Sequence, residues 1–303
     1  MIEKRSFLCE CTNFSFVAGD TVSLEFNWPG PPPRGGQFFM IKPRRTGVFL
    51  ARAVSVAAWK PRGGSVSRRF ARGLPERRYN ADRRLNDDRR RGINRRMDND
   101  RRVNSGGTLS FFITRKGRGS RDIADMRPGE VAELSGPLGN YWPLADLPLD
   151  HHKRKTSGSV ALVSGGVGIA PLLALTQELK RRPFDFYAGF KTGSFGIEGI
   201  NPKALILATE DGSQGVKGSI LDFFNPSGYS EVFACGPEPM LKLVSNACVA
   251  YGVQCYISME RQMACGVGAC LGCTVKTTRG NLRCCADGPI FYAREVIFEN
   301  KEP

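Results

Sequence analysis

The chain is almost without histidine. Its only two stand side by side in the charged run His151-His152-Lys153-Arg154-Lys155. Residues so placed belong to a surface linker, which leaves none for a His-dependent triad or a His-ligated zinc centre elsewhere. Long apolar runs are missing too. No stretch approaches the roughly 18 residues of a membrane-spanning helix, and Met1-Ile2-Glu3-Lys4-Arg5 lacks the apolar core of a secretory leader. Both absences predict a cytoplasmic protein with no membrane contact. In that compartment ten cysteines do not suggest a disulfide framework, and five of them crowd between Cys265 and Cys285. Such clustering points to a metal site.

Acidic residues are also scarce. The formal net charge is +15, which invites a nucleic-acid partner. The excess is local, however. Sixteen Lys/Arg and six Asp/Glu fall between Lys60 and Gly107, so ten of the fifteen net charges sit in one segment. Arg-Arg pairs recur there every six residues, at 77–78, 83–84, 89–90, 95–96 and 101–102. That period fits no helix face, and apolar residues are too few to offset the entropy of ordering. The segment is expected to be a disordered insertion. An arm for RNA or a membrane surface is the alternative, but Phe70 and Tyr79 are too few aromatics for a base-stacking platform.

The rest reads as ordinary globular sequence; the whole chain is 41% hydrophobic over 303 residues, enough for two or three domains. Polar and apolar residues alternate through Thr21–Asn27, and Gln37–Ile41, Phe49–Ala58 and Thr108–Thr114 also have strand character. Gly117-Arg118-Gly119-Ser120 reads as a tight turn, and Met126–Glu130 as a second turn before a strand at Val131–Leu134. Short strands between Gly/Pro turns predict a small antiparallel barrel. After the linker the pattern becomes α/β. Strands at Val160–Val163, Phe184–Phe190, Ala204–Ala208 and Val232–Ala234 alternate with helices at Pro171–Arg182 and Glu238–Tyr251. This predicts a parallel sheet with crossover helices. From Gln254 onward few regular elements are expected.

Four motifs carry chemistry. Cys265, Cys270 and Cys273 follow C-x4-C-x2-C, the plant-type [2Fe–2S] spacing, with Cys285 beyond. A Cys₄ zinc site is the alternative, and Cys284 competes as fourth ligand. Gly165-Gly166-Val167-Gly168 joins a strand to a helix, where a glycine turn can approach a pyrophosphate. Cys235-Gly236-Pro237-Glu238-Pro239-Met240 lies at another strand's C-terminal end, where open α/β sheets bind ligands; a plain helix start with a buried cysteine has the same signature. Arg52-Ala53-Val54-Ser55, together with Gly117–Ser120, offers a cation, a hydroxyl and a glycine turn for a phosphate.

In this order the motifs resemble the ferredoxin–NADP reductase-like flavoproteins, most closely the dihydroorotate dehydrogenase B electron-transfer subunits. Met259–Cys270, Cys273 and Cys285–Phe291 look like that family's cluster segment, and Ala208–Ser213 with Gly215–Gly218 like its nicotinamide domain. The resemblance spans nearly everything except 60–107. It implies an α+β multidomain architecture: an FAD-binding antiparallel β-barrel at 1–147, a Rossmann-like α/β NAD domain at 157–253 and a small [2Fe–2S] domain at 254–303. Cys265, Cys270, Cys273 and Cys285 would hold the cluster. Arg52, Ala53, Val54 and Ser55 would meet the flavin, Phe112, Ile113 and Thr114 would lie along it, and Gly119 and Ser120 would bind its pyrophosphate. Gly165, Gly166, Gly168, Cys235, Gly236, Pro237 and Met240 would border the NAD site. The implied function is electron transfer in pyrimidine biosynthesis, from the FMN of a dihydroorotate-oxidising catalytic subunit, through [2Fe–2S] and FAD, to NAD⁺, within a heterotetramer. A related NAD(P)H:ferredoxin-type reductase subunit serving another partner is the alternative. The chain departs from the family where Ala53 replaces a usual proline and Thr114 a frequent arginine, with Arg115 next to it.

Overall fold

The computed structural model describes residues 5–45, 47, 50–62, 106–144, 159–179 and 182–299. The arginine repeats and the 151–155 linker therefore lie outside the described residues.

Alternation of buried and open positions builds the first body. Its strands are β1 (Ser6–Ala18), β2 (Thr21–Trp28), β3 (Phe38–Pro43), β4 (Arg52–Ser55), β5 (Ala58–Pro61), β6 (Gly107–Thr114) and β7 (Val131–Leu138), with the short helix α1 (Arg118–Ala124) before β7. They form one antiparallel sheet in the order β4-β3-β7-β1-β2-β6-β5. Val22, Leu24, Phe26 and Trp28 of β2 and Leu109, Phe111 and Ile113 of β6 point inward and are buried. The rings of Trp28, Phe39 and Phe111 meet edge to face at 4.8 and 5.8 Å. Each such side chain contributes about 1.5–3 kcal/mol by leaving water.

The sheet curls because its two edge strands are chain neighbours. Only Val56 and Ala57 separate β4 from β5; Val56 N donates to Gln37 O at 3.2 Å and Ala57 N to Ser110 O at 2.9 Å. The single strand expected over Phe49–Ala58 is thus two, handed from one edge of the sheet to the other. The turn expected at Gly117–Ser120 instead starts α1. Ser120 Oγ accepts from the Lys116 and Gly117 amides and donates to Gly117 O, each at 3.0 Å, closing the first turn of the helix.

The second body contains β8 (Val160–Gly165), α2 (Ile169–Glu178), β9 (Phe184–Phe190), β10 (Ala204–Thr209), β11 (Val216–Lys217), β12 (Glu231–Cys235), α3 (Glu238–Ala250), β13 (Gln254–Ser258), a small hairpin of β14 (Thr274–Thr277) and β15 (Gly280–Arg283), and β16 (Ile290–Tyr292). Its sheet runs β11-β10-β9-β8-β12-β13-β16, parallel except for β16. The helix expected from Pro171 starts at Ile169, since proline is tolerated in a first turn, and ends at Glu178.

The boundary expected at 253/254 also moves. β13 extends the parallel sheet beside β12, and β16 pairs with β13, so both belong to this body. Four of the five β13 residues are buried, which a stretch this short does not announce through its periodicity. The cysteine segment is therefore an excursion between β13 and β16. The two bodies pack closely. The fully buried Trp142 donates from Nε1 to Pro171 O at 3.0 Å. Glu178 accepts from Gly35 N at 2.5 Å and pairs with Arg34 at 3.4 Å.

Candidate functional site

Between the two bodies lies a cleft of about 240 Å³. Arg52, Ala53, Val54 and Ser55 of β4 line it with Phe112, Ile113 and Thr114 of β6 and Ser120 of α1. Gly119 stands behind this wall, and a Cβ there would fall on the Arg52 guanidinium. That missing atom lets the cation lie flat against the start of α1. Arg52 Nη1 is anchored on Leu50 O at 2.8 Å. All nine residues expected around the flavin therefore converge here. Arg115 does not stand in for the missing arginine at Thr114: it binds the Asp125 carboxylate at 3.0 and 3.1 Å and does not line the cleft. The cation at this end is Lys116. Phe112 also reaches into the second body, meeting Phe195 edge to face at 5.2 Å.

A larger cleft, about 710 Å³, opens above the C-terminal ends of the parallel strands. Gly165, Gly166, Gly168, Gly236, Pro237 and Met240 line it. The two loops interlock through missing side chains. A Cβ on Gly165 would lie 2.7 Å from Pro237 Cδ, and one on Gly168 would overlap Cys235 O. Gly166 has φ +54 and nothing within 4 Å of a would-be Cβ, so its backbone faces open cleft. Cys235 is placed differently from the rest of its motif. It is buried beneath the loop, and burial pushes its thiol up, helped by the nearby Glu260 carboxylate. The two clefts share Thr114, Lys116, Val167 and Glu260 as a common wall.

The cysteine segment borders the smaller cleft through Met259, Glu260, Arg261, Met263 and Pro289. Cys265, Cys270, Cys273 and Cys285 all belong to this segment, and the Cys285 amide donates to Cys273 Sγ at 3.4 Å. Among the described residues no three His, Cys, Asp or Glu side chains close around one ion. Val267 N donates to Cys265 Sγ at 3.4 Å and Gly268 N to Cys285 Sγ at 3.0 Å. Partial burial raises the Cys265 pKa, but amide donors from Val267, Cys270 and Ala269, together with the Cys270 thiol, outweigh it and bring the pKa down to about 6. Burial, then the Cys273 thiol, push Cys285 up to about 12.

Cys284 has a different partner. Its buried Sγ donates to Met259 O at 3.0 Å. The turn that orients both rests on residues the sequence did not single out for it. Asp287 accepts from Arg283 N at 2.7 Å, Nε at 2.9 Å and Nη2 at 3.0 Å. Asn140 clamps the next residues, donating to Asp287 O and Ile290 O and accepting from Ile290 N. Asp287 stood in the motif without a role, whereas nothing in the sequence marks Asn140. Leu271, between Cys270 and Cys273, is 62% exposed and has φ +59.

Known structures share this arrangement. A structure of an NADH-dependent reduced ferredoxin-NADP oxidoreductase, described in connection with flavin-based electron bifurcation, superposes with a TM-score of 0.69 at 21% identity, over 96% of this chain and 90% of that one. A ferredoxin reductase in carbazole 1,9a-dioxygenase superposes with a TM-score of 0.55 at 18% identity, over 83% and 67%. The fold is thus of the ferredoxin-reductase type.

Sequence comparison narrows the class. The iron-sulfur cluster binding domain of dihydroorotate dehydrogenase B matches residues 260–297. The dihydroorotate dehydrogenase B (NAD(+)) electron transfer subunit of Caldanaerobacter subterraneus subsp. tengcongensis is 30% identical over 93% of this chain and 94% of its own length. That of Clostridium acetobutylicum is 42% identical over 63% and 75%. The chain belongs to the family of dihydroorotate dehydrogenase B electron-transfer subunits.

Proposed function

We propose that this chain carries electrons between an FMN-containing, dihydroorotate-oxidising catalytic subunit and NAD⁺, as an oxidoreductase subunit of pyrimidine biosynthesis. The observation that carries this reading is contiguity: the cysteine segment borders the smaller cleft, and the smaller cleft shares a wall with the larger. In this reading the curled sheet holds FAD, the parallel sheet holds NAD, and the excursion between β13 and β16 holds a [2Fe–2S] cluster. The assembly is a cytoplasmic heterotetramer. Among the described residues no helix is long and apolar enough to cross a membrane.

The residues present fit these groups. Four thiols with no histidine or carboxylate among them suit iron–sulfur ligation. Cys265, Cys270, Cys273 and Cys285 are the ligands, while the Cys284 thiol is occupied by Met259 O. Arg52 supplies a cation for the FAD pyrophosphate at the helix start formed by Gly119 and Ser120, and Val54, Phe112 and Ile113 give its ring an apolar wall that limits water. Thr114 ends the same wall, and Ala53 leaves the β4 backbone freer than proline would. Gly165, Gly166 and Gly168 offer their backbone to the dinucleotide pyrophosphate, with Gly236, Pro237 and Met240 opposite. Once bound, the flavin supplies the exchange between the single electrons of an iron–sulfur centre and the hydride taken up by a nicotinamide.

The test is reconstitution. The purified chain, loaded with FAD and cluster, should reduce artificial acceptors with NADH and leave dihydroorotate untouched. With the FMN-containing catalytic subunit it should gain dihydroorotate:NAD⁺ activity. Dye reduction without any coupling would support the ferredoxin-type reductase reading instead.

A further inference from the structure

We propose that Arg283 raises the reduction potential of the cluster held by Cys265, Cys270, Cys273 and Cys285, and that Asp287 limits how far. This deepens the electron-transfer reading and rests on those four thiols being cluster ligands. Four thiolates around an iron–sulfur core leave net negative charge, and reduction adds an electron to it. A neighbouring cation therefore favours the reduced form, and a neighbouring anion opposes it.

Arg283 is placed beside the ligands by the chain itself. It ends β15 and pairs with Thr274, the residue after Cys273, across the β14–β15 hairpin. It also stands two residues before Cys285. Cys284 N donates to Cys273 O at 2.9 Å and Cys285 N to Cys273 Sγ at 3.4 Å, which ties this turn to that ligand. The guanidinium approaches the first ligand loop as well. Its Nη1 lies 3.3 Å from where a Cβ of Gly268 would stand. Gly268 sits between Cys265 and Cys270 with φ +81, and its amide donates to Cys285 Sγ at 3.0 Å. Asp287 takes the Nε and Nη2 edge, at 2.9 and 3.0 Å, and so compensates part of the charge. Arg261 and Arg279 are paired with carboxylates outside the cysteine stretch, Glu238 at 2.8 Å and Glu295 at 2.9 Å. The Arg283 side chain is 42% exposed, so water screens it and the effect is several-fold rather than many orders of magnitude.

The experiment is an EPR-monitored redox titration of the chain loaded with FAD and cluster, in wild type, Arg283→Gln, Arg283→Lys and Asp287→Asn. Iron content per chain serves as the check on assembly. At the wild-type midpoint, the ratio of reduced to oxidised cluster should fall about three- to tenfold in Arg283→Gln, a downward shift of roughly 30–60 mV for one electron. Arg283→Lys, which keeps the charge, should stay nearer wild type. Asp287→Asn should move the midpoint up. A pair that merely held the turn would not give opposite signs for its two members. An unmoved midpoint in Arg283→Gln at full iron content overturns the inference, as does a shift of Arg283→Gln and Asp287→Asn in one direction. If Arg283→Gln loses its iron, Asp287→Asn decides alone, and a midpoint that does not rise is then the overturning result. A wild-type chain with no [2Fe–2S] signal would sink the cluster reading itself, and the inference with it.

Discussion

Cys284 and Cys285 are neighbours in one turn, and their partners tell them apart. Cys285 Sγ receives an amide from Gly268 at 3.0 Å, while Cys284 Sγ gives its proton to Met259 O. Replacing Cys285 with serine should abolish or severely weaken the EPR signal of the reduced cluster. Cys284→Ser should leave it visible, and the opposite outcome would exchange the two roles. Gly119 supports a second residue-scale prediction. A methyl group there collides with the Arg52 guanidinium, an overpacking that costs about 1–3 kcal/mol if the cation must move. Gly119→Ala should therefore weaken FAD binding roughly tenfold, measured by flavin fluorescence titration. An unchanged affinity would remove Arg52 from the flavin site.

At the scale of elements, β5 and β6 are joined where the arginine-rich segment departs and returns. Pro61 pairs with Gly107, and Arg62 N donates to Gly106 O at 2.9 Å. The ends thus meet as hydrogen-bonded neighbours, and closure cost grows only about 0.6 kcal/mol per doubling of loop length. Deleting 63–105 in favour of a short Gly/Ser linker should leave FAD content and NADH-dependent dye reduction largely intact; a folded protein that no longer holds FAD would show that the segment shapes the cofactor site.

The same scale shows what a sequence reveals. β9 falls on Phe184–Phe190 as its apolar run predicts, and β2 follows its strict alternation. The split of β4 from β5 was hidden, because a strand that changes partners at Val56-Ala57 keeps its composition. α1 was hidden because two glycines in four residues read as a turn until Ser120 bridges back to Gly117. The cysteines were legible from spacing alone, but the clamp at Asn140 depends on a contact 147 residues away in the chain, which no local pattern encodes.

For the whole molecule, the three proposed sites adjoin one another, and the cysteine loop is partly open to solvent. Val267 and Leu271 are exposed there, 38% and 62%, and an apolar edge beside a redox centre suits a protein partner better than water. Leu271→Glu should slow the coupled dihydroorotate:NAD⁺ reaction while sparing dye reduction by NADH; an unchanged coupled rate would move the docking surface elsewhere.

Leu271 also illustrates a conflict between stability and partnership. A leucine with φ +59 occupies the left-handed region at a conformational cost of roughly 1–2 kcal/mol, and its exposed side chain recovers little of that by burial. Asparagine accepts the same backbone more readily. Leu271→Asn should therefore make the isolated subunit slightly more resistant to denaturant while making it a poorer companion to the catalytic subunit. A chain evolving alone would be expected to discard this leucine, so its presence would record selection acting on the complex.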